Sequence, residues 1–114
     1  MNIYDDINKL AYSLKNSEEY INFKTAKQYI NLNPELKEKI DNFEKLRYEG
    51  QMNFIKNGTE QQEELKKIQE MYEEMIQIDE IKKYFDAELK FNILLTDINK
   101  LITEAVKDVI GGQV

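Results

Sequence analysis

Apolar residues along the last third of the chain recur at alternating spacings of three and four. Ile81, Tyr84, Phe91, Leu95, Ile98, Ile102, Ala105 and Val109 form one row, interrupted by a charge only at Glu88. Phe85, Leu89, Leu94, Leu101 and Val106 run beside it as a second row. This spacing defines one helical face, and its persistence as a heptad marks a seam suited to packing against another helix. The predicted helix covers residues 80–110, with Asp79 as its cap and Gly111-Gly112 as its end. At about 1.5 Å per residue it would be roughly 47 Å long. A compact domain of this size has a radius of gyration of about 13 Å and a diameter of roughly 35 Å. A spherical monomer could not enclose such a helix.

The same reading predicts four earlier helices. The first covers residues 3–14, with Ile3, Ile7, Leu10 and Leu14 on one face. Asn16 and Ser17 then offer N-caps, and Asn16 with Glu19 has the spacing of a capping box. A helix over 18–31 turns Tyr20, Phe23, Ala26 and Ile30 inward. Asn33-Pro34-Glu35 is the clearest boundary: a capping side chain, a proline at the first helical position and an acid at the positive end of the dipole. The third helix, 34–56, has Leu36, Ile40, Phe43 and Leu46 inward and ends at Asn57-Gly58. Thr59 with Gln62 forms another capping box, opening a helix over 60–76 with Leu65, Ile68, Tyr72 and Met75 inward. So short a connection forces the third and fourth helices into an antiparallel hairpin. No β alternation and no internal repeat interrupts this pattern. The expected fold is a single all-α domain over 1–114, an elongated antiparallel bundle of about five helices with a long C-terminal helix.

Two features stand out within the hairpin. Gly50 lies inside the third helix, where it costs about 1 kcal/mol relative to alanine, so it predicts a close approach of another helix or a local bend. Met52, Phe54 and Ile55 follow it near the tip. They fit either core contact with the last helix or an adaptable binding patch.

Charge refines the picture. The net charge of -6 is carried by the segment from Thr59 to Glu80, where eight acids face two bases. The acids form either a solvated helix face, laced by Glu63–Lys67 and Lys66–Glu70 pairs, or a docking face for a basic partner. A net-acidic chain without a basic stripe is not built for phosphate-backbone binding, so no direct nucleic-acid contact is expected. No run approaches the roughly eighteen consecutive apolar residues of a membrane span, so no membrane contact is expected either. The N-terminus has neither the basic nor the apolar stretch of a secretory signal, which makes the cytoplasm the expected location.

Candidate chemistry is sparse. The chain has no His, which removes a Ser-His-Asp triad, a histidine zinc site and the Glu-x-x-His pairs of carboxylate-bridged metal bundles. It has no Cys, and its glycines do not form a phosphate loop. Glu88 in the seam reads either as a buried acid able to act as a base or as an acid paired across an interface to fix register. No nucleophile stands beside a base, so an enzyme is not expected, and neither is a cofactor or metal.

The residues Ser17-Glu18-Glu19-Tyr20, Phe23-Lys24-x-Ala26-Lys27 and Asn33-Pro34-Glu35, then Phe43-x-x-Leu46 and Gln51-Met52, resemble the YlbF/YheA/YmcA family of small bacterial helical proteins. The likeness is strongest in Ile81-Lys82-Lys83-Tyr84-Phe85-Asp86-Ala87-Glu88 and continues through Phe91, Leu94, Asp97-Ile98 and Lys100-x-Ile102. It covers nearly the whole chain. Ile78-Asp79 stands where members often have Asn-Pro, and Leu89 where a Gln commonly follows Ala-Glu. The resemblance implies an oligomeric, non-enzymatic regulator that modulates competence, sporulation and biofilm development through messenger RNA processing by the endoribonuclease RNase Y. It places Ala87, Glu88 and Phe91 at interface or packing positions. The iron–sulfur clusters that some family complexes hold on cysteines do not carry over to a chain without cysteine.

The expected protein is therefore a cytoplasmic adaptor that pairs with itself as a homodimer, or with family paralogues, and bears on an endoribonuclease complex. Its interface or packing positions are Tyr84, Ala87, Glu88, Phe91, Leu95, Ile98, Ile102 and Ala105. Its partner face is Met52, Phe54, Ile55, Glu63, Glu70 and Glu74. The alternative is a chaperone-like holdase or scaffold that uses the apolar hairpin tip.

Overall fold

Asn2, Ser17 and Asn33 divide the first half of the chain by accepting hydrogen bonds from otherwise orphaned backbone N–H groups. Tyr4 N donates to Asn2 Oδ1 at 2.8 Å, Tyr20 N to Ser17 Oγ at 3.1 Å, and Glu35 and Leu36 N to Asn33 Oδ1 at 3.2 and 3.3 Å. The computed structural model describes residues 2–57 and 62–110. Within them lie α1 (Ile3–Lys15), α2 (Glu18–Asn31), α3 (Pro34–Asn57), α4 (Gln62–Met75) and α5 (Asp79–Ile110), and no strand. The all-α fold with a long last helix is as the pattern predicts. Two caps differ. Asn16 closes α1, its Nδ2 donating to Tyr12 O at 2.8 Å, so Ser17 rather than an Asn16–Glu19 box opens α2. Asp79 is the first residue of α5 instead of its cap, and its carboxylate meets Lys83 Nζ at 3.1 Å. The Gly58, Thr59 and Gly111-Gly112 signals lie outside the described residues.

The helices gather into two compact units. Residues from Thr25 to Phe85 form a central unit, and those up to Lys24 together with those from Asp86 onward form a terminal unit. Among the described residues every buried apolar side chain belongs to the central unit: Ile30, Leu36, Ile40, Phe43, Met75, Ile81, Tyr84 and Phe85. Phe43 lies 6.1 Å from Tyr72 and 5.6 Å from Phe85, ring centre to ring centre, while Tyr72 stacks on Phe85 at 5.5 Å. Aromatic pairs at such distances add about 0.5–1.5 kcal/mol each beyond area burial. Arg47 stands 5.5 Å above the Phe43 ring.

Pairing between α3 and α4 is antiparallel. Partners descend α4 as they ascend α3, from Phe43–Tyr72 through Gly50–Ile68 to Asn53–Glu64. Gly50 is buried, and a Cβ there would sit 3.1 Å from Ile68 Cδ1. The interior glycine thus marks a close helix approach. Gly50→Ala gains helix propensity of up to about 1 kcal/mol while pushing aside the tip of Ile68, so urea unfolding should show a nearly unchanged midpoint. Gly50→Leu should wedge the hairpin and cost about 1–3 kcal/mol. Equal stability of the two variants would remove the close approach.

The terminal unit is built differently. Phe91 packs between Tyr20 at 5.8 Å and Phe23 at 5.7 Å. None of its described residues is buried. The face Ile3, Ile7 and Leu10 of α1 is exposed, and only Leu14 at its end is half-buried.

Candidate interaction surfaces

Burial falls steadily along α5. Ile81 is 0% exposed, Tyr84 and Phe85 are buried, and Ala87, Glu88, Phe91, Leu94, Leu95 and Ile98 are half-buried. Ile102 is 53% exposed, Ala105 is exposed, and Val109 reaches 90%. Along this one heptad row Tyr84 is core of the central unit, Ile98 is half-buried, and Ile102 and Ala105 are exposed. Leu101 and Val106 of the second row are exposed beside them. Glu88 is half-buried and partnered.

A second apolar group sits near the end of α3. Met52, Phe54 and Ile55 are all exposed, as is Tyr48. None of them is core. The fold orients this stretch through Asn53, whose Nδ2 donates to Glu64 Oε1 at 2.6 Å. This contact between α3 and α4 has no local sequence signal, because it depends on the register of two helices.

On α4, Glu63, Glu70 and Glu74 are exposed. The expected Glu63–Lys67 and Lys66–Glu70 pairs do not form; ion pairs among the described residues include Lys37–Asp41, Arg47–Glu44, Lys83–Asp79 and Lys107–Glu104. Exposed pairs contribute only about 0.3–0.5 kcal/mol and cost side-chain freedom, so their absence is inexpensive. The result is a row of acids open to solvent. Among the described residues no three acids converge as a cation site, and no helix is long and apolar enough to cross a membrane. The seam, the α3 patch and the acidic face are the exposed groupings that stand out among the described residues.

A sequence profile of the family described as control of competence regulator ComK, YlbF/YmcA, matches residues 3–107. The chain belongs to the YlbF/YmcA family. Its curated relatives include UPF0342 proteins of Symbiobacterium thermophilum, 34% identical over 91% of this chain and 93% of the relative, and of Clostridium novyi, 33% identical over 95% of each. Another, from Alkalihalophilus pseudofirmus, is 30% identical over 97% of this chain and 94% of its own length. The YlbF/YmcA family is described by control of a regulator and not by a reaction. In this YlbF/YmcA-family chain the stretch Ile81 to Glu88, where the sequence likeness is strongest, spans the change from buried to half-buried side chains.

Proposed function

We propose that this protein is a non-enzymatic cytoplasmic adaptor that works by helix-mediated association. It pairs with itself, or with a family paralogue, through the C-terminal half of α5, and it presents the α3 patch and the acids of α4 to a larger machine. The observation that carries this reading is the row Ile98, Ile102 and Ala105 continuing a packed seam into solvent. Removing such apolar surface from water contributes about 25 cal/mol per Å². The family's tie to competence control supports a regulatory role. By resemblance, the machine is the one that processes messenger RNA around RNase Y, with effects on competence, sporulation and biofilm development. Affinity purification from the native host at native expression should recover a ribonuclease or a paralogue. Recovery of the chain alone would reject the ribonuclease connection.

Exposure of Met52, Phe54 and Ile55 favours a second reading, a holdase or scaffold that shelters apolar segments. Here the expected result is suppression of client aggregation that Phe54→Asp abolishes. If that substitution leaves suppression intact, the patch is not the holding surface.

A further inference from the structure

All the sulfur of this chain is in methionine, since it has four Met and no Cys. The structure treats these thioethers unequally. Met75 is 4% exposed in the core of the central unit, and Met71 is half-buried. Met52 alone among the described residues is an exposed methionine. Oxidation of a thioether follows the access of the oxidant to the sulfur. An oxidant in solution therefore meets Met52 first.

The position of Met52 gives that reaction a consequence. The α3 helix is held to α4 by the close approach of Gly50 to Ile68 and by the 2.6 Å hydrogen bond from Asn53 to Glu64. At about 3.6 residues per turn, Tyr48, Met52 and Ile55 share a face on the opposite side of α3 from Gly50 and Asn53. Tyr48 is 62% exposed and Ile55 71%. Met52 lies between them, one turn from each, at the middle of an apolar strip turned away from α4. A sulfoxide there places a polar, chiral group at the centre of that strip. The core is unaffected, because Met52 contributes nothing to it.

We propose that Met52 is an oxidation-sensitive switch on the α3 patch, turned off by an oxidant of the peroxide class. The sulfur lone pair attacks one oxygen of hydrogen peroxide, so an S–O bond forms as the O–O bond breaks. The transferred oxygen gives its proton to the departing hydroxide, which leaves as water. Sulfur is oxidised by two electrons and the peroxide is reduced by two. Methionine sulfoxide reductases reverse the change. This rests on the holdase reading of the patch and adds its regulation.

The test treats the full chain with dilute hydrogen peroxide, removes the peroxide, and locates the added oxygen by peptide mass spectrometry. The readout is suppression of the aggregation of insulin B chain released by dithiothreitol. Met52 should gain oxygen on the order of tenfold faster than Met75. The oxidised chain should be needed at roughly tenfold higher concentration for equal suppression, with its helical circular dichroism unchanged. Reductases of both stereospecificities should restore it, and Met52→Leu, which keeps the strip apolar, should be indifferent to peroxide. Oxidation of Met71 or Met75 ahead of Met52 would overturn the switch. So would full suppression by the Met52 sulfoxide, and if Phe54→Asp still abolishes suppression the holdase reading stands without it. An untreated chain that suppresses nothing would overturn both.

Discussion

Phe43→Ala should be the most damaging single substitution in the central unit, lowering stability by about 3–5 kcal/mol. Phe43 is 3% exposed and touches the rings of Tyr72 and Phe85, with Arg47 above it. Truncation removes the ring and leaves a cavity that α3, α4 and α5 would each have to move to fill. Against a total stability of roughly 5–15 kcal/mol for a domain, the loss is a large fraction. With a urea slope of about 1–3 kcal/mol per molar, the unfolding midpoint should fall by roughly 2 M. Phe85→Ala should cost a similar amount. The double variant should lose less than the sum, since each truncation already removes the shared contact. A loss below about 1 kcal/mol for Phe43→Ala would mean that these rings do not form the core.

Helix positions were legible because each depends on local signals. Asn33-Pro34 stops one helix and starts another within three residues, and the three-four spacing of Leu36, Ile40 and Phe43 marks the face that the structure buries. Ile30, Met75 and Ile81 were legible for the same reason. Spacing shows which residues share a face and not what covers that face. Ile3, Ile7 and Leu10 have the same period as Ile40 and Phe43, yet they are exposed because the described residues cover them only in part. Leu65 and Tyr72, expected inward, are also partly open to solvent. Gly50 announced a close approach, but its neighbour Ile68 emerges only from the register of α3 against α4, as does Asn53–Glu64. The seam was visible as one continuous row, while its change from core at Tyr84 to open surface at Ile102 was not.

Ile98→Asp/Ile102→Asp should abolish self-association. Burying one isoleucine is worth at least about 1.5 kcal/mol, and a two-fold dimer would lose four, so the total is roughly 6 kcal/mol. At about 1.4 kcal/mol per tenfold this corresponds to a dissociation constant weaker by roughly four orders of magnitude. Burying carboxylates against apolar groups adds to the loss. Light scattering should show a single chain at concentrations where the parent is paired. The core formed by Phe43, Tyr84 and Phe85 contains neither position, so the central unit's hydrogen-exchange protection should persist. Glu104→Ala, off the apolar rows and paired only with Lys107 on its own helix, should remain associated. A paired double variant would reject the seam as the interface.

The α3 patch and the open seam belong to different units, and this separation has a genetic consequence. If the chain pairs through the seam as proposed, an allele with charges at Ile98 and Ile102 should fail to join the normal product and behave as recessive in a cell carrying both. An allele altered at Phe54 or Ile55 should keep the proposed pairing and draw normal copies into mixed assemblies that reach their target through one arm instead of two. That second class should be dominant, with a severity that follows the ratio of altered to normal copies.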